Sequence, residues 1–119
     1  MTKRLVGAAT AVACAALVFA SLALGRTDAA AVAVTAGKPS ELRFTLSKRT
    51  VPKGAVTFTV TNRGRLQHDF AISGKKTRRL SAGKRATLSV TFRKAGRYPY
   101  VCTVPGHAAG GMKGTLVVK

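Results

Sequence analysis

Along most of this chain apolar and polar residues alternate with a period of two. Leu42, Phe44 and Leu46 alternate with Arg43 and Thr45, and Val56, Phe58 and Val60 with Thr57, Thr59 and Thr61. His68, Phe70 and Ile72 share one face. So do Leu88, Val90 and Phe92, then Tyr98, Tyr100 and Cys102, then Gly114, Leu116 and Val118. This is the pattern of strands with one buried face, and the abundance of Val and Thr suits them. Turn signals separate the runs at Pro52-Lys53-Gly54, Asn62-Arg63-Gly64, Ser73-Gly74, Ala82-Gly83, Ala95-Gly96 and Pro105-Gly106. Beyond the N-terminal leader no stretch sustains a 3.6-residue apolar stripe. The pattern predicts an all-β fold, a Greek-key β-sandwich of about seven to eight strands. Its first strand covers residues 32–36, and another, residues 66–72, carries His68 in its middle.

The N-terminus departs from this pattern. Lys3 and Arg4 precede a continuous apolar run over residues 5–24, and small residues follow. Residues 1–31 read as an export signal, with cleavage after Ala31 or Ala33 in an A-x-A pattern. Two alternatives stand: retention as a membrane anchor, because a run of about 20 apolar residues can span a bilayer, and lipidation at Cys14. All three place the domain, residues 32–119, outside the cytoplasm. That leaves about 88 residues, one modest core. Once the leader is removed Cys102 is the only thiol, so no internal disulfide can form. The thiol is idle and buried, paired between chains, or used.

Composition narrows the chemistry. Lys and Arg total 21 against 3 Asp and Glu, a formal charge of +18. Glu41 and Asp69 are the only acids beyond the leader, and neither has an acidic neighbour in sequence, which excludes paired-carboxylate catalysis. With 46% hydrophobic residues the chain has the means to fold despite its charge. Cations cluster at Lys75, Lys76, Arg78 and Arg79, with Lys84 and Arg85 just beyond. Others lie at Lys48, Arg49 and Lys53 and at Arg63 and Arg65. Runs of charge usually form a solvated face. A formal charge near +16 on residues 32–119, from 18 bases and 2 acids, exceeds what solubility needs. Export and the lack of Trp make nucleic acid a poor partner. A redox partner protein with an acidic docking surface, or an anionic envelope surface, is the expected counterpart. The domain itself is expected to be a monomer.

The segment from Tyr100 onward reads Y-V-C-T-V-P-G-H-A-A-G-G-M-K-G-T-L. Cys102, His107 and Met112 recur at five-residue intervals in a loop whose Pro105, Gly106, Gly110 and Gly111 let it curl tightly. A lone strand histidine such as His68 is usually structural, but this loop offers it partners. Thiolate and thioether form a soft donor set, and imidazole suits copper in both oxidation states. Zinc sites use Cys, His and carboxylate and have no preference for Met. Two His and one Cys in a trigonal arrangement with a weak axial Met describe a blue-copper site. Four filled positions leave none for a substrate, so the pattern points away from an enzyme. The alternative is that Cys102 and Met112 are core residues and His107 a loop histidine.

This loop, from Cys102 to Leu116, together with V-T-N-R-G-R-L-Q-H-D-F-A-I from Val60 to Ile72, resembles the cupredoxins, the plastocyanin/azurin family of small type 1 blue copper proteins. The C-x4-H-x4-M spacing is similar to the azurin loop rather than the shorter plastocyanin one. The resemblance implies a copper ion held by His68 from an upstream strand and by Cys102, His107 and Met112 from the loop. It also implies a one-electron carrier, with extracytoplasmic copper delivery or storage through the same ligands as the alternative. A metal-free sandwich binding an envelope polymer through its basic face is a third class. Two departures stand out. Asp69 occupies the place after the first histidine where many members have Asn, whose side chain ties two ligand loops together. The interval from His68 to Cys102 also lacks room for azurin's extra helix.

Overall fold

The computed structural model describes Thr2 and residues 29–119; the rest of the leader, with Cys14, lies outside the described residues. Nine strands and no helix occur among the described residues. They are β1 (Ala30–Ala36), β2 (Phe44–Leu46), β3 (Thr50–Val51), β4 (Gly54–Asn62), β5 (Ala71–Ile72), β6 (Lys75–Lys76), β7 (Arg85–Phe92), β8 (Gly96–Val101) and β9 (Lys113–Val118). One sheet runs β2-β1-β4-β7 and the other β3-β9-β8-β5-β6. β1 lies parallel to β4, and β3 parallel to β9; the other pairings are antiparallel. The chain leaves β1, crosses to the second sheet at β3 and returns to lie beside β1 as β4. That non-sequential pairing is what makes this a sandwich rather than a meander.

The two-residue period does what it predicts. Along β4 every second residue from Val56 to Asn62 is buried, while those between are only partly covered. The inward faces of both sheets form one core, with Val32, Val34, Val56, Phe58, Val60, Val90 and Phe92 from the first sheet. Val51, Ile72, Tyr100, Leu116 and Val118 come from the second. Burying a side chain of this size stabilises the fold by about 1.5–3 kcal/mol. Phe70 sits at the centre of an aromatic group, 5.4 Å from Phe44, 5.2 Å from Phe58 and 5.4 Å from Tyr100 between ring centroids. A second, smaller cluster of Ala36, Cys102 and Met112 closes one end of the sandwich.

Three details differ from the sequence expectation. There are nine strands rather than seven or eight, because β3, β5 and β6 are two-residue pieces too short for alternation to register. β1 begins at Ala30, two residues before the predicted start, since Ala30 and Ala31 pair with Val56 and Thr57. Residues 66–72 are not a continuous strand. Only Ala71 and Ile72 are ladder-bonded, and His68 makes a single bridge to Leu80. The physical cause lies in the intervening amides. Asp69 N–H points to Cys102 Sγ at 3.5 Å, and Phe70 N–H donates to Thr77 Oγ1 at 3.2 Å. Side chains take the donors that a neighbouring strand would otherwise receive.

Candidate metal centre

Two segments deliver the predicted donors to the same end of the sandwich. His68 is held by its bridge to Leu80, with His68 N–H to Leu80 O at 3.1 Å and the reverse bond at 2.7 Å. Cys102 follows directly on β8. The loop after it winds through short-range backbone bonds: His107 N–H to Val104 O at 3.0 Å, Gly110 N–H to Gly106 O at 3.0 Å, and Met112 N–H to His107 O at 3.0 Å. Gly106, at φ 84°, supplies a left-handed turn that residues with a side chain rarely adopt. Cys102 N–H donates to Met112 O at 3.1 Å and closes the loop on itself.

His68, Cys102 and His107 each offer one donor atom, all within 4.8 Å of one another. His68 Nδ1 and His107 Nδ1 are 3.2 Å apart. Cys102 Sγ lies 3.6 Å from His107 Nδ1 and 4.0 Å from His68 Nδ1. A single ion bonded at about 2.0–2.3 Å to each would hold such atoms about 3.3–3.7 Å apart, and the observed 3.2–4.0 Å straddles that range, so the separations suit one shared metal. His68 and Met112 are wholly buried and Cys102 nearly so, while His107 keeps an edge toward solvent. Met112 packs with Cys102 and Ala36 beneath this group. It therefore adds nothing to the outer surface of the loop.

Burial pushes the Cys102 thiol above its ordinary range, with bonds from the Asp69 and Val104 amides opposing that rise. Burial, and then the charge of His68, depress the proton affinity of His107. Both effects describe donors taken out of water and crowded together. Metal binding overturns the first, since a ligating thiol is deprotonated, and acts with the second, since a ligating imidazole must be neutral.

The tie between ligand loops that Asn makes in many family members is made here by Asp69. Its Oδ1 accepts Thr103 N–H at 2.6 Å, and its Oδ2 accepts a short bond from the Thr103 hydroxyl. Asp69 is 1% exposed, and it joins the residue after His68 to the residue after Cys102. Asn62, fully buried, shapes the neighbouring loop: Nδ2 donates to Leu66 O and Leu80 O, both at 2.7 Å, and Oδ1 accepts Gly64 N–H at 2.9 Å.

Sequence reasoning passed over Glu41. Its Oε1 lies 2.8 Å from His68 Nε2. The only signal was indirect, one of just two acids in a domain otherwise crowded with cations. Nothing in its sequence position, 27 residues before His68, indicates the contact.

Comparison with known proteins agrees with this geometry. Residues 30–119 match the family model described as copper binding proteins, plastocyanin/azurin family. The chain is 29% identical over 100 residues to the copper-resistant cuproprotein CopI of Rubrivivax gelatinosus, which covers 66% of this chain and 61% of that protein. The matched region thus spans about three fifths of that relative. Among solved structures, dithionite-reduced auracyanin from Roseiflexus castenholzii superposes with a TM-score of 0.63 at 25% identity, covering 76% of this chain and 96% of that one. Rusticyanin from Thiobacillus ferrooxidans gives a TM-score of 0.65 at 26% identity, covering 75% and 76%.

Proposed function

The chain belongs to the plastocyanin/azurin family of copper-binding proteins, its cofactor is copper, and from that premise we propose that it is an exported one-electron carrier. The observation that carries this reading is the closed cluster of soft and borderline donors: two imidazole nitrogens and the Cys102 sulfur within 4.8 Å of one another, with Met112 packed against Cys102. Copper, when bound, supplies the one-electron couple. His68, Cys102 and His107 would hold the metal, with Met112 as a weaker fourth donor. Asp69 locks the two ligand segments together, so the donors keep their places in both oxidation states. A site that does not rearrange exchanges electrons without waiting for its ligands to move. The protein is then a carrier that turns over no substrate.

Electrons pass through the outward edge of His107, set among Pro105, Gly106, Ala108 and Ala109. Exposed Leu66 adds to the apolar surface on this end. Cleavage after Ala31 would leave buried Val32 and Val34 in β1, whereas cleavage after Ala33 would remove Val32. Either cut trims β1, which begins at Ala30; the first removes only Ala30 and Ala31 and keeps both buried valines. Outside the cytoplasm the cationic surface meets a redox protein with an acidic face.

The test is a titration of the metal-free protein with Cu(II), followed by absorption and EPR. An intense blue colour from thiolate-to-copper charge transfer is expected, and Cys102→Ser abolishes it. A folded, reduced wild type that stays colourless overturns the assignment. The similarity to a copper-resistant cuproprotein favours a second reading, copper delivery or storage through the same ligands. Repeated oxidation and reduction with retained metal supports the carrier. Ready transfer of copper to an acceptor chelator supports the second.

A further inference from the structure

Glu41 and Asp69 are the only two acidic side chains among residues 29–119, and both stand at the metal centre. Asp69 joins the two ligand segments from within. Glu41 comes from elsewhere, the turn between β1 and β2, and three consecutive residues of that turn engage the centre. Glu41 Oε1 lies 2.8 Å from His68 Nε2. The same carboxylate accepts Leu66 N–H at 2.7 Å and Arg65 N–H at 3.0 Å to each oxygen, so it is fixed before it touches the imidazole. Arg43 Nη1 donates to Gly111 O at 3.0 Å, next to Met112.

The opposing segments are shaped to receive these side chains. A Cβ on Gly64 would stand 2.5 Å from Glu41 Oε1, and one on Gly110 would stand 2.5 Å from a Leu42 methyl. A Cβ on Gly111 would collide with the Arg43 guanidinium. Each of three successive residues is thus met by a glycine that leaves it room. A tripeptide touching both ligand segments, with three glycines clearing its path, is a built contact.

We propose that the Glu41–Leu42–Arg43 turn is an outer brace of the copper centre, and that Glu41 is a positioning residue that orients His68 and biases the centre toward its oxidised state. The chemistry follows from the donors. A carboxylate only accepts, so the His68 proton resides on Nε2 and the Nδ1 lone pair faces His107 and Cys102. Partners of this kind hold a ligand histidine in one tautomer and orientation and raise its basicity. A negative charge beside the imidazole also favours the more positive metal. Arg43 acts at the other end, where its bond to the Gly111 carbonyl restrains the loop that carries Met112.

This inference rests on the copper reading, and its test separates the two. In metal-free protein at fixed neutral pH, nitrogen-detected NMR of the His68 ring should show the Nε2–H tautomer. Glu41→Ala should lose that preference, and Glu41→Gln, which keeps an acceptor, should restore it. With copper bound, Glu41→Ala should weaken Cu(II) binding about 10–100-fold. Glu41→Gln should retain most of the affinity and shift the reduction potential upward. Gly64→Ala leaves Glu41 in the chain but displaces its carboxylate, and should reproduce the loss of tautomer preference. A His68 ring unchanged in folded Glu41→Ala and Gly64→Ala overturns the brace, as does an unshifted potential in Glu41→Gln. A wild type that takes up no copper yet loses its tautomer preference in Glu41→Ala supports the brace while overturning the copper reading.

Discussion

Replacing Asp69 by alanine and by asparagine separates its charge from its hydrogen bonds. Asp69 accepts from both the amide and the hydroxyl of Thr103, and hydrogen bonds to a charged group contribute about 1.5–3 kcal/mol each. The pair is therefore worth about 3–6 kcal/mol before compensation. Two effects offset it. Thr103 is exposed, so water takes up its released donors. Asp69 is 1% exposed, and keeping a carboxylate there costs several kcal/mol that alanine does not incur. The expected net loss for Asp69→Ala is about 1–3 kcal/mol. In a domain of this size that lowers the midpoint temperature by about 4–8 °C per kcal/mol. Asparagine keeps an acceptor for the Thr103 amide, and its NH2 group donates to the Thr103 hydroxyl oxygen, so Asp69→Asn should stay within about 1 kcal/mol of wild type. Urea unfolding of the three metal-free proteins measures both values. Voltammetry of the copper-loaded forms should show a higher potential for both variants, because each removes a negative charge beside the centre. Asparagine and alanine variants of equal stability would refute the idea that the hydrogen bonds, rather than the charge, hold the two segments together.

Met112→Leu should preserve the blue colour and raise the reduction potential, while His68→Ala should lose the blue site; complete copper loss in both would contradict an axial role for Met112. Reversing Lys75, Lys76, Arg78 and Arg79 to Glu should flatten the salt dependence of association with an acidic redox partner. The long-range field raises the wild-type rate by roughly 10 to 1,000-fold at low salt, and stopped-flow measurement over ionic strength reads both. Stability of the metal-free protein should fall on acidification. Amide bonds from Leu66 and Arg65, more than His68, hold the Glu41 carboxyl at about 2 rather than 4.5. The stability it contributes is thus complete above about 4.5 and is lost as pH falls toward 2. His107, depressed chiefly by burial, acts in the same direction: the unfolded chain takes up its proton first as pH drops through the ordinary histidine range. Denaturant midpoints between pH 7 and 3 check this, and Glu41→Gln should flatten the lower part of the curve.

The strand pattern and the loop donors were legible from residue order because both are local properties. Alternation along residues 56–62 assigns one face to the core whatever the strand pairs with, and the five-residue spacing of Cys102, His107 and Met112 lies within one loop. His68 was legible only through its resemblance to a known motif, since no spacing rule links it to a thiol 34 residues away. Strand continuity around His68 was misread because periodicity reports which face is buried, not where amide hydrogens go. There the Cys102 sulfur and the Thr77 hydroxyl compete with strand partners for those hydrogens. Tertiary structure alone decided the role of the two acids. Glu41 reaches His68 only because Asn62 folds the intervening loop so that the Arg65 and Leu66 amides face the carboxylate. Gly64 leaves that carboxylate the space it occupies. A hydrogen bond across 27 residues depends on where two separate turns meet, and sequence order carries no record of that meeting.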